Sequence, residues 1–366
     1  MGDSERTNVF VVGAGASREF GLPTGDDLKD VIKNFGSVRK TREGSRFPDE
    51  LLRDCFQFAA YNKKDQNWFL ELVTASSFIA ENMSTAPSID NFLHTHGHDE
   101  RVVTAGKLLI ARSILDAERR STLFAERGDR VDGIDFERGE RNQDGTEVVP
   151  PPKWSWLGEL FKLLVAERDY EAFTRSIQNI TFISFNYDRC IRQFLLFAAR
   201  QYFRLNSDMV ESLNNQIKVV HPYGSLGELS LRGGEIRGFG SQVDHRALGQ
   251  MASGIHTFTE GVGDSDLTSE ITASFATCDV AIFLGFGFLP LNLKILFSEQ
   301  KFRVPKVLGT SLGQSDESSK LIEAELYDAL IHGSPRSSRR NGQVILSTIT
   351  CRELFQKHAR FLMTRR

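Results

Sequence analysis

The chain contains few cysteines, and no two of them have the spacing of a metal or redox motif. Its 366 residues include four cysteines, which lie far apart at Cys55, Cys190, Cys278 and Cys351. Because a zinc ribbon is built from closely spaced Cys-x-x-Cys pairs, the sequence excludes a structural zinc site of that type. The same scarcity disfavours a disulfide framework, so we expect a reducing, cytoplasmic compartment.

Long hydrophobic runs and a strong net charge are also missing. The most apolar segment, residues 280–297, is interrupted by glycine, proline, asparagine and lysine, so it is too short and too polar to span a bilayer. The opening MGDSERTNVF has no apolar signal core. The net charge is −3, so no global basic field attracts nucleic acid or a membrane surface. We expect no membrane partner and no direct nucleic-acid reader.

Short apolar runs alternate with helical patterns in two parts of the chain. Runs rich in Val, Ile and Phe occupy residues 9–12, 180–185, 217–220, 279–288, 304–308 and 344–346. Uninterrupted runs of this kind are typical of parallel strands that are covered on both faces. The pattern predicts an α/β protein with a doubly wound, Rossmann-like parallel sheet.

A long stretch without strand signals separates the first run from the others. Residues 51–128 show helical spacing of apolar positions, and residues 129–152 are charged and rich in glycine and proline, as in an exposed loop. We therefore predict a Rossmann-like domain formed by residues 1–35 and 171–366. A mainly helical insertion, residues 36–170, interrupts it.

The segment NVFVVGAGASREFGLPTGD at residues 8–26 carries the strongest functional signal. A buried strand runs directly into the small-residue turn Gly13, Ala14, Gly15, Ala16 and Ser17. Glycines let the backbone approach a phosphate closely, and a following helix offers free N–H groups. The usual dinucleotide fingerprint needs a third glycine where Arg18 stands, so the ordinary dehydrogenase version fits poorly.

Three further strand ends carry polar or small residues. They read SFNYD at residues 184–188, HPYGS at residues 221–225 and GFGF at residues 285–288. Because ligands of open α/β sheets bind beyond the carboxyl ends of the strands, we expect these segments to meet the first loop at one site.

Taken in order, these motifs resemble the sirtuin superfamily, whose members read GAG-x-S, QNID, HG and GTSL. The resemblance covers residues 8–26 and about 180–315. The FNYD and HPYG motifs, with SIDNFL at residues 88–93, are most similar to those of bacterial sirtuin-like domains that hydrolyse NAD+ in antiphage defence. The absent zinc ribbon argues against protein deacylation and for this zinc-free branch.

The resemblance implies a role for each matched position. The catalytic residues would be Asn186, which orients the ribose or a water, Asp188, which accepts from the carboxamide, and His221, which relays a proton. The residues that bind NAD+ would be Gly13, Ala14, Gly15, Ser17, Gly285, Phe286, Gly287, Thr310 and Ser311. No metal is implied, and NAD+ is the substrate.

Each of these residues also has a structural interpretation. Asn186 or Asp188 could be the N-cap of a helix after an ordinary strand, His221 could be a structural loop residue, and GFGF could reflect tight strand packing. Sirtuins place the catalytic histidine directly before the glycine, where this chain has Tyr223, so the register of His221 stays open. A solvated loop is the favoured interpretation of His94, His96 and His98, and a metal site is the less favoured one.

The leading hypothesis is therefore an NAD+ hydrolase that depletes the cofactor as an abortive-infection effector. Such an activity has to be gated, and single-domain proteins of this resemblance imply homo-oligomers and a HerA-like DNA-translocating ATPase as partner. One alternative is a module that binds NAD+ or ADP-ribose as a sensor without turnover. Another is a zinc-independent deacylase or ADP-ribosyltransferase.

Overall fold

A computed structural model describes residues 6–41, 44–124, 133–142, 147–166, 168–232, 235–263, 265–297, 300–331 and 342–363. Its strands are β1 (Asn8–Val12), β2 (Arg39–Thr41), β3 (Gly44–Arg46), β4 (Glu140–Arg141), β5 (Glu147–Val149), β6 (Ile180–Ser184), β7 (Lys218–Val220), β8 (Ser230–Arg232), β9 (Glu235–Arg237), β10 (Val280–Leu284), β11 (Lys306–Thr310) and β12 (Gln343–Ser347).

The strands are connected by helices of very different lengths. These are α1 (Ala14–Ser17), α2 (Gly25–Gly36), α3 (Glu50–Lys63), α4 (Gln66–Asn82), α5 (Ile89–Thr95), α6 (Glu100–Arg120), α7 (Trp156–Val165), α8 (Tyr170–Gln178), α9 (Cys190–Phe203), α10 (Ser207–Gln216), α11 (His245–Ser253), α12 (Phe258–Gly263), α13 (Ser265–Ala276), α14 (Pro290–Phe297), α15 (Asp316–Leu330) and α16 (Cys351–Met363). Two 3₁₀ turns occupy Arg18–Phe20 and Pro152–Trp154. None of the helices described is long and apolar enough to cross a membrane.

Six of the strands form one parallel sheet in the order β12-β11-β10-β1-β6-β7. In its register, Val9 of β1 lies opposite Ala281 of β10 on one side and Thr181 of β6 on the other. The chain starts at the centre, builds outwards through β6 and β7, and then returns to build β10, β11 and β12 on the opposite side. This is the strand order of a doubly wound Rossmann sheet, and its direction reverses between β1 and β10. The predicted fold class is confirmed.

Alternate residues of β1 point into two separate cores. Val9 and Val11 belong to a hydrophobic cluster with helices α2 to α6, α11 and α13 to α15. Phe10 and Val12 belong to a second cluster with α7 to α10 and α16. Because side chains of a strand alternate between the faces of a sheet, a run of four apolar residues is needed to line both cores.

The helices of the predicted insertion pack directly on the sheet. Helices α3 to α6 lie in the first core, whereas α7 lies in the second. Each of the helices α3 to α6 begins with a side-chain N-cap that accepts a backbone N–H of the first helical turn. These caps are Asp49, Asp65, Ser88 and Asp99. The boundaries at residues 36 and 170 stay predictions.

Some short elements were not predicted from the sequence. The pairs β2–β3, β4–β5 and β8–β9 are each antiparallel and two or three residues long. The pair β4–β5 falls within residues 129–152, which the composition predicts as loop throughout. Strands this short carry too few residues for an alternating apolar pattern, so the sequence has no periodic signal there.

Candidate active site

Loops from five neighbouring strands meet at the carboxyl edge of the sheet, and hydrogen bonds join each loop to the next. Across the sheet from β11 to β7, the donors and acceptors belong to Thr310, Gly285, Gly15 with Gly13, Asn186 and His221. Because the strands are parallel, all of their carboxyl ends lie on this side. The structure thus brings together the strand ends that the motifs predict as one site.

The loops after β1 and β10 touch backbone to backbone at the point where the strand order reverses. The amide of Gly13 donates to the carbonyl of Leu284 (2.9 Å), and that of Gly15 donates to the carbonyl of Gly285 (3.0 Å). A Cβ on Gly13 would lie 2.5 Å from the carbonyl oxygen of Gly285. Gly285 has φ +54°, and a Cβ there would overlap the backbone of Gly15 and Ala16. These glycines therefore have a packing reason, whatever ligand they approach.

Asn186 fixes the first loop from the other side. Its side-chain Nδ2 donates to the carbonyl of Gly13 (3.0 Å) and to the hydroxyl of Ser17 (2.8 Å), and the side chain is buried. Ser17 ends the four-residue helix α1, whose Ala14 and Gly15 are half-buried at the surface of the site. The amide group of Asn186 thus holds the loop that was predicted to bind the pyrophosphate.

His221 is held in one orientation by the backbone of Asn186. Its Nδ1 lies 3.0 Å from the carbonyl oxygen of Asn186. A carbonyl only accepts, so Nδ1 carries the proton and Nε2 keeps its lone pair. Burial lowers the pKa of His221 to about 4, which keeps the ring neutral near pH 7. A neutral imidazole with an unprotonated Nε2 is the form that can act as a general base.

Tyr223 lies in the core beside this histidine. Its ring is almost fully buried and contacts Phe185 edge-on, with centroids 5.8 Å apart. Its hydroxyl donates to Oδ1 of Asn292 (2.9 Å), and burial raises the pKa of Tyr223 well above its usual range. Of the two candidates for the histidine position, the half-buried His221 is therefore the one with an available basic atom.

Asp188 lies two residues before helix α9, whose N-cap is Arg189. Its Oδ1 accepts the amide of Cys190 (3.0 Å), the first residue of that helix. The carboxylate therefore supports the helix start, although neither Asn186 nor Asp188 is the N-cap that the structural interpretation of FNYD predicts. Burial raises the pKa of Asp188, and hydrogen bonds from Cys190 and Ser17 oppose that rise. The carboxyl group is thus part of the scaffold behind the first loop, in contact with Ser17.

A buried ion pair next to Asp188 could not be predicted from any pattern in the sequence. Arg189 pairs with Glu118 of α6 through Nε (3.0 Å) and a terminal nitrogen (2.5 Å), and its backbone amide also donates to Glu118 (3.1 Å). Glu118 has no exposed surface, and it also accepts the amide of Gly240 (3.0 Å). This pair ties the long helix of the predicted insertion to the FNYD segment.

A second cross-connection joins the insertion to the same segment. The hydroxyl of Tyr187 donates to Oδ1 of Asp90, in the first turn of α5. Burial raises the pKa of both groups. Asp90 belongs to the SIDNFL segment, and Ser88 is the N-cap of its helix.

The β11 end contributes one satisfied and one unsatisfied hydroxyl. Thr310 Oγ1 accepts the amide of Gly285 (2.9 Å), so it positions the β10 loop. Ser311 is 3% exposed, and among the described residues its hydroxyl has no hydrogen-bond partner. A buried hydroxyl without a partner costs free energy, so Ser311 keeps an unused hydrogen-bonding group at this end of the site.

The remaining predicted residues of GFGF differ from one another. The ring of Phe286 is buried against Phe185, with centroids 5.0 Å apart, so only its backbone can approach a ligand. A Cβ on Gly287 would contact only Leu289, at 4.0 Å, so close packing does not require this glycine. Phe288 adopts φ +52°, a strained conformation for a bulky residue that is typical of functional loops.

Glu19, one turn beyond the first loop, was not singled out from the sequence. Its carboxylate accepts the amides of Trp156 (2.6 Å) and Arg352 (2.8 Å), in the first turns of α7 and α16. The indole of Trp156 in turn donates to the carbonyl of Ala16 (3.1 Å). Burial raises the pKa of Glu19 to about 7. The first loop is therefore supported from behind by a carboxyl group that titrates near neutrality.

Of the three histidines at positions 94, 96 and 98, His96 and His98 have ring centroids 6.4 Å apart. His94 contacts the hydroxyl of Thr259 (3.3 Å), and His96 packs on Phe92 with ring centroids 4.5 Å apart. Within the described ranges, no group of three or more His, Cys, Asp or Glu side chains is arranged to hold a metal ion.

Comparisons with known proteins add no family. No protein-family model matches the chain, and no curated protein matches it. The sirtuin resemblance accordingly stays a prediction that rests on the quoted motifs.

Proposed function

We propose that the chain is an NAD+ glycohydrolase that releases nicotinamide and ADP-ribose. The observation that supports this most is the hydrogen-bonded row of loops at the point where the strand order of a Rossmann sheet reverses. In that row, Asn186 links a neutral histidine, His221, to the glycine-rich turn through one hydrogen bond on each side. Dinucleotides bind at this position in doubly wound sheets, and an unprotonated Nε2 can take the proton of the attacking water.

The reaction needs little acid catalysis. The bond between the ribose C1′ and the nicotinamide nitrogen breaks, and its electron pair neutralises the pyridinium ring, so nicotinamide leaves uncharged. The ribosyl cation that remains is oxocarbenium-like. A water oxygen bonds to C1′, and we assign its proton to Nε2 of His221, which passes it to solvent.

Three features of the chain fit such a substrate. Ala14 and Gly15 are half-buried, and their side chains are small enough for a pyrophosphate to approach the backbone. The unpartnered hydroxyl of Ser311 is suited to a ribose hydroxyl at the adenosine end. Gly287 leaves open space beside the loop after β10.

We extend the proposal to an effector of antiphage defence, gated by homo-oligomerisation or by a HerA-like ATPase. This part rests on the sirtuin-like motifs alone. Co-purification with such an ATPase, and a change in NAD+ turnover on mixing, are the expected results. Turnover that the ATPase leaves unchanged would contradict this gating.

The enzymatic part is tested by measuring nicotinamide release from NAD+ by wild type, Asn186→Ala and His221→Ala, each alone and with the ATPase. Loss of turnover in both variants, with their folded state preserved, is the expected result. Turnover that survives His221→Ala would remove the general base from the account.

A second candidate is a module that binds NAD+ or ADP-ribose without cleaving it. The observation in its favour is that the amide of Asn186 and the carboxylate of Asp188 are both used in internal hydrogen bonds. This candidate predicts thermal stabilisation by ADP-ribose with no nicotinamide release from NAD+. The hydrolase predicts both stabilisation and release.

A further inference from the structure

A cavity of about 520 Å³ lies between helices α3, α6 and α11, apart from the candidate active site. Its walls are formed largely by apolar and small side chains, including Phe58, Leu108 and Ala252. Pockets of about 300–1,000 Å³ with mostly apolar walls and a few polar groups are typical of small-molecule sites. The cavity is therefore large enough for an organic ligand of moderate size.

Cationic and aromatic groups stand together at its wall. The guanidinium of Arg246 lies 5.5 Å from the ring centroid of Phe58, and the ring of His245 contacts the same phenyl ring edge-on at 5.0 Å. Lys107 lines the cavity from α6, where it pairs with Glu260 (2.9 Å). None of the described residues that line the cavity is acidic. An aromatic wall with cations beside it suits a flat ring that carries a negative group.

Helix α11 connects this cavity to the loop of His221. Gly254, which ends α11, accepts the amide of Ser225 (3.2 Å). The amide of His256 donates to the carbonyl of Tyr223 (2.9 Å). Gly224, at φ +70°, packs so closely on Gly254 that a Cβ would overlap its carbonyl oxygen. The end of α11 and the HPYGS loop are therefore joined backbone to backbone, with no side chain between them.

We propose that this cavity binds a planar aromatic anion, and that its occupancy changes ligand affinity at the loop of His221 through α11. The binding stands on the cavity alone, whereas the coupling rests on the proposed function. The coupling requires the ligand to have different affinities for different positions of α11, because a ligand that contacts the helix favours the position that it fits best.

Gly249 offers a sharp test of the binding. It lines the cavity, and a Cβ there would have no atom within 4 Å, so a side chain can begin at this position without a clash. Gly249→Leu should obstruct the cavity, and Gly249→Ala is its matched control. Both replace a helical glycine, so both should raise helix stability.

The probe is 8-anilinonaphthalene-1-sulfonate, whose fluorescence reports binding. Wild type and Gly249→Ala should bind it saturably with affinities within about twofold, and Gly249→Leu should bind about tenfold more weakly or not at all. Arg246→Gln, an exposed position, should also weaken binding about tenfold, because it removes a charged contact. Equal binding by Gly249→Leu or by Arg246→Gln, or no saturable binding by wild type, would overturn the assignment.

The coupling is read from the affinity for ADP-ribose, measured with and without the sulfonate. A change of about threefold or more in wild type, absent in Gly249→Leu, supports the coupling. An unchanged affinity in wild type overturns it. If ADP-ribose does not bind in any form, the proposed function and the coupling both fail, while the sulfonate titration still decides the cavity.

Discussion

Gly285→Ala should disrupt the contact between the β1 and β10 loops and so lower both stability and ligand affinity. The native residue has φ +54°, which costs an alanine about 1–2 kcal/mol. The new Cβ would also overlap the backbone of Gly15 and Ala16, and overpacking of this kind costs about 1–3 kcal/mol more. The expected loss in the free energy of unfolding is therefore about 2–5 kcal/mol.

The second effect is on the hydrogen bonds between the loops. Relief of the overlap has to separate the β1 and β10 loops, which breaks the bond from Gly15 to Gly285 (3.0 Å) and moves Gly285 away from Thr310 Oγ1 (2.9 Å). ADP-ribose affinity should fall together with stability.

Gly287→Ala, two residues away, is the matched control for both effects. Its Cβ would meet only Leu289, at 4.0 Å, so the loss of stability should stay below about 1 kcal/mol. Denaturant unfolding and calorimetric titration with ADP-ribose measure the two effects. Equal losses of stability and of ADP-ribose affinity in the two variants would refute the view that the loop–loop contact requires glycine at position 285.

Three other predictions follow from buried groups. Glu118→Gln leaves Arg189 buried without its carboxylate, so denaturant unfolding should show a loss of about 3–5 kcal/mol; a loss below about 1 kcal/mol would contradict a buried, structural pair. Burial raises the pKa of Glu19 from 4.5 to about 7, so the folded state binds more protons and stability falls as pH rises through that window, by at most about 3 kcal/mol. This fall should be absent in Glu19→Gln, and parallel pH profiles of the two proteins would refute it. Because the pKa of His221 is about 4, nicotinamide release should be constant from pH 8 down to about 5; a midpoint near 6.5 would show a solvated histidine.

The sheet could be predicted because each of its strands is a short apolar run with its own sequence signal. The observed strands Ile180–Ser184 and Val280–Leu284 lie inside the predicted runs. Parallel strands buried on both faces need apolar residues at every position, so neither strand depends on its partners to be recognised. The predicted run at 279–288 extends too far, since the glycines after Leu284 begin the loop.

The position of the site could be predicted from the sequence, whereas the partners of its individual residues could be predicted only in part. Strand ends of a parallel sheet meet at one edge, so the motifs could be placed together before the structure was known. By contrast, the pairs Glu118–Arg189 and Asp90–Tyr187 join residues far apart in the chain. No local pattern predicts which buried carboxylate meets which partner, because tertiary packing alone decides it.

The role that we propose for His221 is that of the base in hydrolysis of the nicotinamide bond. Its most direct test is chromatographic measurement of nicotinamide and ADP-ribose formed from NAD+ by wild type and His221→Gln. We expect equal amounts of the two products from wild type, and turnover reduced about 100-fold or more in a folded His221→Gln that still binds ADP-ribose. Undiminished turnover in His221→Gln, or bound NAD+ that stays intact with wild type, would contradict it.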